Sequence, residues 1–215
     1  MTAGPLIKIC GVTSVADALL CAEAGANALG LNFWPGSPRC CSLATAAAIP
    51  AALEREHPSV LRIGVFVNAS TGELTQAIAA AGLHVVQHHG DEVAEVDPPV
   101  AGAPRQWKGL RLQGAEDLGL LTRYARPAWE LCVIDAPSPA YGGSGRRLDV
   151  ALAAQAAALR PLLLAGGLTP ETVAEAIRAV RPQGVDVASG VEAAPGRKDP
   201  ARVRAFVRAA CAALQ

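Results

Sequence analysis

The 215-residue chain is poor in aromatic residues, which make up 4% of it, and it has one methionine and four histidines. It has no run of about 18 apolar residues, so no helical membrane span is expected. It lacks an excess of either charge. Lys+Arg and Asp+Glu are 19 each, which argues against a nucleic-acid partner held by phosphate neutralisation. The first ten residues show neither the basic start nor the apolar run of a secretory signal, so the expected compartment is the cytoplasm. There is no CxxC pair and no zinc-like Cys/His spacing, which leaves a disulfide framework or a structural metal without support. In a reducing compartment, most of the six cysteines are expected to be small buried hydrophobes. Charged residues are only 18% and hydrophobic residues 51%, enough for a sizeable core and too apolar for a disordered chain.

Eight short apolar runs recur along the chain: Leu6–Cys10, Ala28–Phe33, Leu61–Val67, His84–His88, Trp107–Leu112, Glu130–Asp135, Pro161–Ala165 and Gly184–Ala188. The repeat averages roughly 25 residues, about one strand and one crossover helix. Helix signals fall between the runs. Ser14 to Asp17 and Ser70 to Glu73 read as capping boxes, and Gly25 marks a helix end. Thr169-Pro170 and Asp199-Pro200 each read as a cap followed by proline at the first helical position. Ala-rich segments near 44–53 and 150–159 suit helices. The polar, proline-rich stretch 96–105 predicts a short or missing helix. No linker divides the chain, so residues 1–215 are expected to form one α/β domain. An open doubly wound sheet is the competing architecture. No GxGxxG follows the first run, and eight even units favour a closed parallel (β/α)8 barrel, a TIM barrel.

Unusual residues gather where such a barrel carries function, at the C-terminal strand ends. Run 1 ends in Cys10-Gly11, and run 2 leads to the proline-rich loop holding Arg39. Run 4 leads through Gln87, His88 and His89, and run 6 ends at Asp135 before the glycines and serine of 142–145. Runs 7 and 8 end in Gly166-Gly167 and Ser189-Gly190, adjacent sites that predict backbone binding of a phosphorylated ligand. Lys8 and Cys10 share a strand face. A cation near Cys10 would lower its pKa and suit it to act as a base, although a cysteine ending a strand fits a buried small residue as well. Asp135 fits an acid or a structural carboxylate. Arg39 fits a carboxylate clamp or a solvated charge. His88 and His89 should face opposite ways, so they are not expected to converge on a metal. Arg146-Arg147 and Arg197-Lys198 read as surface charge, although either pair could reach a phosphate.

In this order the residues resemble the phosphoribosylanthranilate isomerase family of tryptophan biosynthesis. The matching stretches are Lys8–Gly11, Asp17-Ala18 with Glu23–Ala26, Gly30–Phe33, Pro35–Arg39, Gly64–Asn68, Val86–Glu92, Asp135 with Tyr141–Gly145, Leu164–Leu168, Val185–Glu192 and Pro195–Asp199. They span nearly the whole chain. The resemblance implies an Amadori rearrangement without metal or organic cofactor, on a phosphorylated small molecule. It implies Asp135 as general acid and Cys10 as general base. Arg39 would hold the anthranilate carboxylate. Gly166, Gly167, Ser189 and Gly190 would hold the phosphate together with Gly143, Ser144 and Gly145. Gln87, His89 and Asp186 would complete the substrate site. A monomer or a homodimer is consistent with a barrel of this size.

The chain departs from the family pattern in three places. His88 stands where an apolar residue is usual, Ala188 where a serine is usual, and Val150 follows Asp149 where a tryptophan is usual. None is the expected acid or base. A histidine-pathway sugar-phosphate isomerase (ProFAR isomerase), or a dual-specificity relative, is the alternative enzyme. Cys10, where those carry Asp, argues against it. A non-catalytic phosphosugar-binding barrel would need neither Cys10 nor Asp135.

Overall fold

Alternation of side chains and short β-rich runs produce the strands, and capped amphipathic segments produce the helices between them. The computed structural model describes residues 4–94, 104–135 and 149–215. Strands β1 (Leu6–Cys10), β2 (Ala28–Asn32), β3 (Leu61–Phe66), β4 (Val85–His88), β5 (Arg105–Arg111), β6 (Leu131–Asp135), β7 (Leu162–Leu164) and β8 (Gly184–Val187) close into one barrel in sequence order. All neighbouring pairs are parallel, including β1 with β8. The closed barrel read from the periodicity is therefore the fold. The open sheet is not.

The helices are α1 (Val15–Glu23), α2 (Leu43–Glu54), α3 (Thr71–Ala81), α4 (Leu118–Arg123), α5 (Val150–Leu159), α6 (Val173–Val180) and α7 (Pro200–Ala213). Among the described residues no helix lies between β4 and β5, and residues 96–103 of the stretch singled out there lie outside the description. Ser70 and Glu73 form the reciprocal capping box at α3. Asp199 caps α7 by accepting from the Ala201 and Arg202 amides, with Pro200 in the first turn. Gly25 takes φ +99 just past α1.

Two local expectations need correction. Ser14 accepts from the Asp17 amide, but the Asp17 carboxylate accepts instead from the Lys198 amide, so the reciprocal half of that box is absent. Thr169-Pro170 opens the turn that leads into α6: the Thr169 carbonyl accepts from the Thr172 and Val173 amides and the Thr172 hydroxyl accepts from the Thr169 amide, but the regular helix begins only at Val173.

Two apolar layers hold the barrel. Ile9, Leu29, Leu31, Val86, Cys132 and Ile134 point outward and pack against the helices. Leu6, Ala28, Ile63, Val85, Trp107, Leu131, Val133 and Leu163 fill the lumen. The cysteines are less uniform than expected. Cys21, Cys41 and Cys132 are buried, Cys10 is half-buried, and Cys40 and Cys211 are exposed because they face solvent beyond the core-facing positions. Among the described residues, no helix is long and apolar enough to cross a membrane.

Candidate active site at the C-terminal mouth

The inward-facing series is apolar low in the barrel and polar near the strand ends. On β1 it runs Leu6, Lys8, Cys10; on β6, Leu131, Val133, Asp135; on β8, Gly184, Asp186. The polar ends converge on an open cleft of about 860 Å³, part of it continuous with solvent. Cys10, Arg39, Gln87, His89, Asp135, Gly166, Gly167, Asp186, Ser189 and Gly190 all line it. The remaining expected site residues, Gly143, Ser144 and Gly145, lie outside the described residues, as do Arg146 and Arg147. Asp135 and Cys10 end strands that β7 and β8 separate, so they stand on different sides of the mouth.

Lys8 is fully buried, and its Nζ lies 2.7 Å from Asp186 Oδ2, its register partner on β8. Gly30 makes room beside it. A Cβ there would come within 2.7 Å of Cys10 Sγ and 3.1 Å of Lys8 Nζ. Burial pulls Lys8 down, but Asp186 and the neighbouring thiol outweigh it and hold the amine above its ordinary value. For Cys10 the expected cation is present in Lys8, joined by Lys198, and both favour the thiolate, but burial outweighs them and pushes the thiol up. Alkylation of Cys10, followed by site-resolved mass spectrometry, is expected to accelerate only above the usual thiol range. Lys8→Met should slow it at fixed pH, because it removes a cation that favours the thiolate. A midpoint below the usual thiol range would contradict this.

His88 and His89 face opposite ways, as expected from alternation. His88 turns to the helix layer, where it bonds Gln106 Oε1 at 2.7 Å and meets the Trp129 ring edge-on. His89 enters the cleft, 2.5 Å from Gln87 Nε2, over the space left by Gly109. Burial, and then the charges of Lys8, Lys108 and Arg111, push His89 down to about 3, so it is neutral at physiological pH. Two buried oxygens facing the cleft, Gln87 Oε1 and Asp186 Oδ1, have no hydrogen-bond partner among the described residues. Such groups are suited to meeting a ligand.

Gly166 and Gly167 take φ +87 and +67, which exposes the backbone after β7 to the cleft. Ser189–Val191 form a single 3-10 turn after β8. A Cβ on Gly190 would lie 1.9 Å from the Leu168 carbonyl oxygen, so the two loops touch through backbone. Gly190→Ala must push them apart. It is expected to raise KM by about tenfold or more, the worth of one lost charge-assisted bond. An unchanged KM would separate these loops from ligand binding.

Three groups were not legible as site residues. The sequence places Lys8 only on the strand face of Cys10, and Glu192 only within a stretch that matches the family. Lys198, read as surface charge, is 3% exposed, because the chain after β8 folds it back to the Cys10 carbonyl. Arg39 does line the cleft, but its Nε and Nη2 are engaged by Glu192 at 2.7–3.1 Å.

A closed βα barrel with a thiol, a carboxylate and glycine-rich backbone loops around its C-terminal mouth has the layout of a barrel enzyme. A family model described as N-(5'-phosphoribosyl)anthranilate (PRA) isomerase matches residues 7–209. An N-(5'-phosphoribosyl)anthranilate isomerase of Myxococcus xanthus is 48% identical over 211 residues, 95% of each chain. The solved phosphoribosyl anthranilate isomerase of Thermotoga maritima superposes with TM-score 0.86 at 37% identity, over 97% of this chain and 99% of that one. A phosphoribosyl anthranilate isomerase in complex with reduced 1-(o-carboxyphenylamino)-1-deoxyribulose 5-phosphate gives TM-score 0.83 at 33% identity, over 97% and 99%. The chain belongs to the N-(5'-phosphoribosyl)anthranilate isomerase family.

Proposed function

We propose that this protein converts N-(5'-phosphoribosyl)anthranilate to 1-(2-carboxyphenylamino)-1-deoxyribulose 5-phosphate in tryptophan biosynthesis. The observation that carries the reading is the convergence of ten expected site residues on one cleft. Asp135 gives a proton to the furanose ring oxygen as the C1–O bond breaks, leaving an open-chain Schiff base. Cys10, as thiolate, takes the proton from C2. The enolamine then tautomerises to the ketone, gaining a proton at C1 and losing one from the C2 hydroxyl. All steps are proton transfers, which positioned acids and bases accelerate. Cys10 rests as a thiol, so the reactive thiolate is a minor form that Lys8 and Lys198 favour. His89, being neutral, serves as a hydrogen-bonding group and not as the base.

Arg39 binds the anthranilate carboxylate. The backbone of Gly166, Gly167, Ser189 and Gly190 binds the phosphate. Gln87 and Asp186 present their unpaired oxygens to the sugar or the amine. By the family resemblance, Gly143, Ser144 and Gly145 contribute to the phosphate site. The protein acts in the cytoplasm as a monomer or homodimer, with residues 1–215 as one domain. To separate this reading from the histidine-pathway one, kcat/KM is measured on both substrates with one preparation. The reading requires turnover of phosphoribosylanthranilate and at most a trace with the other. Equal rates would overturn strict specificity.

A further inference from the structure

The proton-transfer scheme leaves one built part of the mouth unused. After β8 the chain forms a small antiparallel hairpin, β9 (Glu192–Ala194) and β10 (Arg197–Lys198), in which Glu192 and Lys198 are register partners. Their charged ends turn toward the barrel instead of solvent. Glu192's side chain is 4% exposed and Lys198's is 0%, with Oε1 and Nζ 2.9 Å apart. Lys198 Nζ also donates to the Cys10 carbonyl at 2.6 Å and lies 3.5 Å from the Ala188 carbonyl. Glu192 is thus tied to the ends of β1 and β8 through one buried amine.

Glu192 accepts from Arg39 in turn. Nε lies 2.9 and 3.1 Å from its two oxygens, and Nη2 lies 2.7 Å from Oε2. Burial pushes the Glu192 carboxyl up, but the Arg39 bonds and the Lys198 charge outweigh it and hold it below its ordinary value. A guanidinium offers a carboxylate two edges, the side edge of Nε with Nη2 and the end edge of Nη1 with Nη2. Glu192 takes the side edge. Nη1 makes no hydrogen bond to any described residue. The Arg39 stem is fixed as well, because it crosses Gly11, where a Cβ would stand 2.6 Å from Arg39 Cδ. Gly11 has φ +72 and follows Cys10 directly.

We propose that Glu192 is a positioning residue that sets specificity for a carboxylated ring. It grips Arg39 by one edge and leaves the other edge for the substrate carboxylate, at a fixed place relative to Cys10. The inference rests on the reading of Arg39 as the carboxylate site. A guanidinium held on both its stem and one edge loses little freedom when the ligand arrives, so the clamp is pre-organised. The other role open to a carboxylate here is competition, in which Glu192 occupies Arg39 until substrate displaces it. The two roles predict opposite signs.

The test compares kcat/KM for phosphoribosylanthranilate with that for its carboxylate-free analogue, N-(5'-phosphoribosyl)aniline. The wild type, Glu192→Gln and Arg39→Ala are measured, with thermal melts alongside. The glutamine keeps an oxygen for Lys198 but turns donor hydrogens toward the Arg39 fork. Glu192→Gln is expected to lower the preference for the carboxylated substrate by about tenfold, through the KM of that substrate. Arg39→Ala should remove the preference, and the double variant should add nothing further. A preference kept in Glu192→Gln but lost in Arg39→Ala overturns the role of Glu192 alone. A preference that rises in Glu192→Gln shows competition and overturns it too. Equal losses on both substrates, with a lowered melt, show a merely structural part. A preference kept in Arg39→Ala moves the carboxylate site elsewhere and removes the inference together with that reading.

Discussion

Cys10→Ser and Asp135→Asn each lower kcat by about a hundredfold or more, while either variant still binds a reduced product analogue with near wild-type affinity. The first substitution keeps the size of the base but raises its proton affinity far beyond that of a thiol. The second keeps the shape of the acid and removes its transferable proton. Both groups sit at strand ends, and neither is part of the apolar lumen, so the barrel should tolerate both changes. Steady-state kinetics with isothermal titration separates the two quantities. A rate within a few-fold of wild type in either variant would withdraw the role from that residue. A parallel loss of analogue affinity would mean that the change had damaged the cleft.

Lys8→Met has the largest expected effect on stability. It leaves Asp186, 7% exposed, inside the barrel without its cation. Breaking a buried pair from one side costs about 3–5 kcal/mol. Denaturant unfolding of Lys8→Met against wild type measures it. Removing both charges, in Lys8→Met with Asp186→Leu, should recover part of the loss, because no uncompensated charge remains. Lys8 is held above its ordinary 10.5, so its contribution is complete below that pH. It is lost as pH rises through the folded value, and the difference between the two proteins should narrow in strong alkali. A loss under about 1 kcal/mol at neutral pH would show that Asp186 is satisfied by other means.

Much of the fold is carried by local signals, and these survive in the structure. β1 and α5 keep the bounds that their apolar and Ala-rich runs suggest, and Ser70 and Asp199 cap the helices they precede. Thr169-Pro170 survives in part: the Thr169 carbonyl accepts from the Thr172 and Val173 amides, and the regular helix follows at Val173. The candidate site is legible where a strand ends in a polar residue, as at Cys10 and Asp135; His89 follows from side-chain alternation and Asp186 from the family resemblance alone, and all four reach the cleft. It is illegible where it depends on partners far apart in sequence. Arg39 meets Glu192 across 153 positions, and Lys198 meets Cys10 across 188. No window of sequence reveals that two apparently solvated charges are buried against each other. The ionisation of the thiol is illegible for a related reason. Its cationic neighbour is visible two residues away in β1, but the burial that outweighs it exists only once the barrel closes.

The most direct test of the central claim follows the fluorescence of phosphoribosylanthranilate, generated in situ from anthranilate and phosphoribosyl pyrophosphate. Addition of the protein should extinguish that fluorescence at a rate proportional to its concentration, with 1-(2-carboxyphenylamino)-1-deoxyribulose 5-phosphate as the only product. Undiminished fluorescence with folded wild-type protein would contradict the account and leave only a barrel that binds phosphorylated ligands.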